Sequence, residues 1–159
     1  MKLLTIASMA AVLALYNTAF AAGEHTGGHD EYAIGMKAEK VKSKRTITIT
    51  MLEEQDGMIF TPKELQFSKG DTVTLNFVNT GALKHEFVMD TQENVLEHKA
   101  VMEKNPDMEH ADDNSISLEP GQKGQITWTF TKSGDFAFAC LIPGHYESGM
   151  HGSLKVNAK

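Results

Sequence analysis

Four short stretches of this chain alternate between apolar and polar residues, and that rhythm limits the fold more than any other feature. Thr46-Ile47-Thr48-Ile49-Thr50-Met51 places Ile47, Ile49 and Met51 on one side. Asp71-Thr72-Val73-Thr74-Leu75-Asn76-Phe77 does the same with Val73, Leu75 and Phe77, and Gln125-Ile126-Thr127-Trp128-Thr129-Phe130 with Ile126, Trp128 and Phe130. Ser153-Leu154-Lys155-Val156 repeats the pattern near the end of the chain. A period of two is that of a strand with one face buried and the other wet. Turn formers separate the strands, at Lys69-Gly70-Asp71, Asn79-Thr80-Gly81, Glu119-Pro120-Gly121 and Ser133-Gly134-Asp135. Short strands punctuated in this way predict an all-β sandwich of two sheets.

One segment breaks the rhythm. Residues 91–104 hold several helix formers and few turn formers, and Asp90 with Glu93 offers an N-terminal capping pair. Pro106 ends the segment, because the residue before a proline is pushed out of helical geometry. One short helix is therefore expected as an insertion between strands.

The N-terminus reads differently. Lys2 precedes an apolar run from Leu3 to Leu15, and Ala19-Phe20-Ala21 puts small residues at the two positions a signal peptidase reads. This predicts a signal peptide over residues 1–21, cleaved after Ala21, and export to the periplasm. The run is shorter than the about 20 apolar residues that a membrane span needs. Residues 22–45 are rich in Gly, His and charge, and read as a flexible arm carrying His25 and His29. Residues 46–159 are then one domain with a single core, soluble and without a membrane span. The chain carries a formal net charge of −6 and no dominant basic cluster, which argues against nucleic acid as a partner.

The chain has one cysteine, Cys140, which cannot form an internal disulfide. Such a residue is an intermolecular bridge, a reactive thiol or a metal ligand. It opens the run Cys140-Leu141-Ile142-Pro143-Gly144-His145-Tyr146-Glu147-Ser148-Gly149-Met150, which sets a thiol, an imidazole and a thioether at regular spacing. Cys140 shares strand parity with Phe136 and Phe138 and so points inward. The Pro143-Gly144 turn can bring His145 and Met150 back towards it. A second imidazole comes from His85, which shares parity with Phe87 and Met89. A buried imidazole needs a partner. Two His, one Cys and a weakly bound Met are the arrangement of blue-copper electron-transfer sites. Zinc, by contrast, takes Cys, His and carboxylate. A Cys140–His145 hydrolase pair lacks an evident orienting residue, so an enzyme is not expected.

The loop resembles the copper-binding loop of the plastocyanin/azurin family, the cupredoxins, and the likeness extends over about residues 46–157. The chain is also similar to exported bacterial cupredoxins associated with copper tolerance, which pair such a loop with a His-containing arm. The resemblance implies a Greek-key β-sandwich with one copper ion near one end, cycling between Cu(I) and Cu(II). It also implies that His85, Cys140, His145 and Met150 are the ligands. This chain has Glu86 where many family members have an Asn that ties the two ligand loops together. Ile142, unlike a proline at that place, keeps an N–H that can be donated to the Cys140 sulfur.

Two functional classes stay open on the sequence. A monomer is expected in both: a single domain meeting redox partner proteins or copper-handling proteins of the cell envelope. In one class the protein shuttles electrons between exported partners, with His145 as the port. In the other it protects the envelope from copper, and the His-containing arm tilts the reading that way. A weaker copper site formed by His98, Met102, Met108 and His110 also stays open, as does loose capture of copper by His25 and His29. His151 is assigned to the surface, since neighbours along a strand point oppositely.

Overall fold

The computed structural model describes residues 32–106, 108 and 112–159. The expected signal peptide, its cleavage point, His25, His29 and His110 lie outside the described residues.

Among the described residues, ten strands form two five-stranded sheets. The first sheet holds β1 (Gly35–Lys37), β2 (Arg45–Glu54), β3 (Gly57–Thr61), β5 (Thr72–Asn79) and β8 (Lys123–Phe130), in the order β1-β8-β5-β2-β3. The second holds β4 (Glu64–Ser68), β6 (His85–Asp90), β7 (Ser115–Leu118), β9 (Gly134–Ala139) and β10 (His151–Asn157), in the order β4-β10-β9-β6-β7. The chain passes between the sheets at the β3–β4, β4–β5, β5–β6, β7–β8 and β8–β9 connections. β2 runs parallel to β5 and β4 parallel to β10, and the other pairs are antiparallel. This is the all-β sandwich that the alternation predicts.

The core is built from the predicted faces. Ile49 and Met51 of β2, Val73, Leu75 and Phe77 of β5, and Ile126, Trp128 and Phe130 of β8 are buried against Phe87, Met89, Phe138, Leu154 and Val156 of the facing sheet. Phe60, Phe77, Phe87 and Phe138 meet in edge and offset contacts with ring centroids 4.7–5.7 Å apart. Such pairs add about 0.5–1.5 kcal/mol each beyond the area that they bury.

The inserted helix, α1 (Gln92–Lys104), lies on the outer face of the second sheet. Val95 and Met102 are buried there with Val88, Ala137, Ala139 and Leu141. Burial of two such side chains is worth about 1.5–3 kcal/mol each. The sheet is therefore covered on both faces along β6 and β9. The cap differs from the expected Asp90–Glu93 pair: Thr91 is the N-cap, and its hydroxyl accepts the N–H of Asn94 at 3.1 Å. Asp90 is still paired with Ala137 in the sheet, so the first residue free to cap is Thr91. Asn105 closes the helix by donating its side-chain amide to the Val101 carbonyl, and Pro106 follows.

Residues 32–45 also differ from the expected flexible arm. Tyr32 bridges to Gly35, and β1 adds to the edge of β8 from Gly35↔Phe130 to Lys37↔Trp128. Ile34 is fully buried, and the Tyr32 ring packs 5.5 Å from that of Trp128. Two apolar side chains in a polar stretch are enough to dock it, because the indole supplies a broad apolar surface. Replacing Ile34 by Ala therefore removes about 2–5 kcal/mol of unfolding free energy. Urea denaturation of the copper-free protein checks this, and an unchanged midpoint would show that the segment is not part of the core.

Candidate metal centre

The centre lies at one end of the sandwich, where two adjacent strands deliver one side chain each. His85 opens β6 on the same inward face as Phe87 and Met89. Cys140 directly follows β9 and continues the face of Phe138. The pairing of β6 with β9 brings both to the same end. The chain then turns through Pro143 and Gly144, and Gly144 has φ +86°, a left-handed conformation that a side chain disfavours. The N–H of His145 donates to the Ile142 carbonyl at 3.0 Å, which aims the imidazole back at Cys140. Met150 ends the loop beside its start: the N–H of Cys140 donates to the Met150 carbonyl at 2.9 Å, and that of Met150 to the His145 carbonyl at 3.1 Å. His85, Cys140 and Met150 are fully buried, and His145 is 9% exposed.

The ligating atoms converge. Nδ1 of His145 lies 3.3 Å from both the Cys140 Sγ and the His85 Nδ1. Among the described residues, these three side chains form the one group of His, Cys, Asp or Glu that can meet a single ion, with their ligand atoms within 4.8 Å of one another. Burial pushes the Cys140 thiol up to about 12, against the pull of the Glu86 and Ile142 backbone N–H groups, and the Glu86 carboxylate adds to the rise. Burial also holds His145 below the usual imidazole range, helped by His85 and opposed by Glu53, so this ring is neutral at pH 7 and offers its lone pair. Two imidazoles and a thiol that gives up its proton to a metal make a donor set suited to both Cu(I) and Cu(II).

Two amide N–H groups serve the sulfur. The Glu86 N–H points at Sγ from 3.3 Å, and the Ile142 N–H also donates to it, as the sequence anticipates. This Glu86 N–H links β6 to the segment that bears Cys140. Glu86 itself is buried in β6.

Sequence reasoning missed Glu53. Its Oε1 lies 2.7 Å from the His85 Nε2, and the carboxylate accepts the N–H groups of Ala82 at 2.7 Å and Leu83 at 3.2 Å. Burial opposes the charge, yet these N–H groups and His85 hold the carboxyl below its usual range. The signal was present in the strand parity: Glu53 continues the inward series Ile47, Ile49, Met51.

Other histidines and methionines stand apart. Met102 is buried beneath α1, His98 is half-buried and Met108 is exposed. His151 is exposed and stacks on Tyr146 with centroids 4.5 Å apart. The loop is also gripped from outside: Lys99 of α1 pairs with Glu147 and sits over the Tyr146 ring, and the Met58 N–H donates to the Ser148 carbonyl.

Comparison with known proteins agrees with this geometry. The family model described as copper binding proteins of the plastocyanin/azurin family matches residues 46–157. The copper-resistant cuproprotein CopI of Rubrivivax gelatinosus is 39% identical over 135 residues, which cover 83% of this chain and 80% of that protein. Among solved structures, auracyanin B superposes with a TM-score of 0.62 at 21% identity, over 80% of this chain and 96% of that one, and speaks for the fold alone. Dithionite-reduced auracyanin from the photosynthetic bacterium Roseiflexus castenholzii gives a TM-score of 0.57 at 28% identity, over 69% and 95%. A buried His-Cys-His cluster at the end of a sandwich, on a chain matched over most of its length, leads to one conclusion: the protein belongs to the plastocyanin/azurin family of copper-binding proteins, and copper is its cofactor.

Proposed function

We propose that this protein is an exported type 1 copper protein, not an enzyme, whose one ion is held by His85, Cys140, His145 and Met150 and which serves copper tolerance in the periplasm. The observation that carries the reading is the convergence of three buried ligand atoms within 4.8 Å, with Met150 buried at the close of the same loop. Bound copper supplies a one-electron couple between Cu(II) and Cu(I). The protein's own residues exclude water from that couple and keep the donors in place. His85, Cys140 and Met150 have no exposed surface, so one partner of an incoming electron remains, the 9% exposed edge of His145. Exposed Pro143, Gly144 and Leu83 lie in the segments that bear the ligands. A rigid donor set serves electron transfer, since little has to move when the charge changes.

Copper tolerance is favoured by the 39% identity to a protein named for copper resistance. The N-terminal pattern of Lys2, the apolar run and Ala19-Phe20-Ala21 supports export. The likeness to auracyanin from a photosynthetic bacterium favours a second reading, in which the protein is a soluble electron carrier between periplasmic partners. The domain acts as a monomer on either reading.

Three outcomes follow. Cu(II)-loaded protein shows an intense thiolate-to-copper absorption band in the visible, and Cys140→Ser abolishes it; a wild-type protein without the band would overturn the ligand assignment. Ile142→Pro removes one N–H donor from the sulfur, which favours the electron-poor ion, so the reduction potential falls by an amount on the order of 59 mV, the equivalent of a tenfold change in a one-electron equilibrium. A deletion strain grows poorly on copper and is rescued by the wild-type gene but not by Cys140→Ser. Unimpaired growth on copper, with a respiratory or photosynthetic defect in its absence, would establish the electron-carrier reading instead.

A further inference from the structure

The Glu53 carboxylate occupies a position that neither packing nor solubility explains. It stands at the end of β2 on the inward face, 26% exposed, with Oε1 2.7 Å from the Nε2 of the fully buried His85. The backbone around it is shaped to receive a carboxylate. The N–H groups of Ala82 and Leu83 both turn to it. A Cβ on Gly81 would lie 2.6 Å from each of its oxygens, so the turn before β6 requires glycine for the carboxylate to enter. Asn79 braces the same turn, accepting the Gly81 N–H at 2.9 Å and donating to the carbonyls of Leu83 and Leu118. Glu53 therefore reaches His85 across 32 positions of sequence through a cradle built for it.

An ionised carboxylate only accepts hydrogen bonds. Set against Nε2, it holds the imidazole proton there and leaves the Nδ1 lone pair facing His145 and Cys140. It also brings a negative charge to the far side of the ring, which makes the ring a stronger donor. A stronger donor and a nearby negative charge both favour Cu(II) over Cu(I). On the ligand reading given above, we propose that Glu53 is a positioning residue of the copper centre: it fixes the tautomer of His85 and lowers the reduction potential of the bound ion. Its effect opposes that of the Glu86 and Ile142 N–H groups, which withdraw electron density from the sulfur and favour Cu(I). The potential of the centre is thus set by a balance between a carboxylate on one ligand and amides on another.

Two variants separate the parts of this role. Glu53→Gln keeps the shape and removes the charge. Gly81→Ala keeps the charge and displaces it. Nitrogen-15 NMR of the copper-free wild type is expected to show His85 protonated at Nε2, with a strongly hydrogen-bonded Nε2–H. That signal moves upfield in Glu53→Gln and weakens in Gly81→Ala. Potentiometric titration of the copper-loaded proteins is expected to show Cu(II) binding weakened relative to Cu(I) by about tenfold in Glu53→Gln, an upward shift of about 59 mV. A purely structural carboxylate would lower thermal stability and leave the potential where it was, so an unchanged potential in Glu53→Gln overturns the tuning role. A wild-type His85 protonated at Nδ1 overturns the positioning role. The NMR result is obtained without copper, so it stands even if the absorption test removes the ligand assignment, and the two failures are distinguishable.

Discussion

The Cys140 thiol is buried completely at the end of an apolar strand face, and most of what surrounds it answers to that fact. Burial keeps the sulfur protonated, so only something that replaces the proton with a positive charge makes the thiolate stable there. The surroundings prepare for that exchange. Two backbone N–H groups, from Glu86 and Ile142, already point at Sγ, and two imidazoles already face it. A thiol in such a place is a poor nucleophile and a good metal ligand, because its reactivity towards substrates depends on a thiolate that burial suppresses.

The sandwich supplies this environment through its second sheet. β6 and β9 are neighbours, and the inner faces of both run into the aromatic core of Phe60, Phe77, Phe87 and Phe138. Their outer faces lie under α1. A strand packed on both sides has little freedom, and His85 and Cys140 inherit that rigidity from their places at the strand ends. The loop from Leu141 to Met150 has no sheet to stiffen it, and is held instead by contacts at its rim. Lys99 reaches it from α1 through Glu147 and Tyr146, Met58 reaches it from β3 through Ser148, and Met150 is tied by backbone hydrogen bonds to both Cys140 and His145. The helix that interrupts the β pattern thus braces the one ligand segment that lies outside the sheets.

Strands β2, β5, β6, β8, β9 and β10 and the Cys140–Met150 loop were legible in the sequence because their information is local. Alternation, turn residues and ligand spacing are read within a dozen positions. Three features were not legible, for reasons that differ. The docking of Tyr32 and Ile34 depends on Trp128, almost a hundred positions away, and composition alone makes the segment look too polar to order. The helix cap moved from Asp90 to Thr91 because sheet pairing with Ala137 claims Asp90, a tertiary contact that outranks local capping preference. Glu53 resembles an ordinary surface acid beside Glu54, and only its parity with Met51 marks it as inward. An acidic residue on the apolar face of a strand is costly unless something receives it, and that cost is the signal to look for a partner.

The partner turns out to be a ligand segment, which gives the same turn two tasks. Residues Asn79 to Leu83 connect β5 in one sheet to β6 in the other, and so they fix where His85 enters the core. Their N–H groups also stabilise the charge of the carboxylate that holds His85 by its outer nitrogen. Fold and centre are therefore joined at a point that belongs to neither the ligand loop nor the hydrophobic core. A change there moves the imidazole without touching a ligand, and the glycine at its middle is constrained by chemistry, not by backbone conformation: Gly81 has no left-handed φ, yet a single methyl group would meet both carboxylate oxygens. The turn that closes the sandwich is, by its hydrogen bonds, also the outer wall of the copper centre.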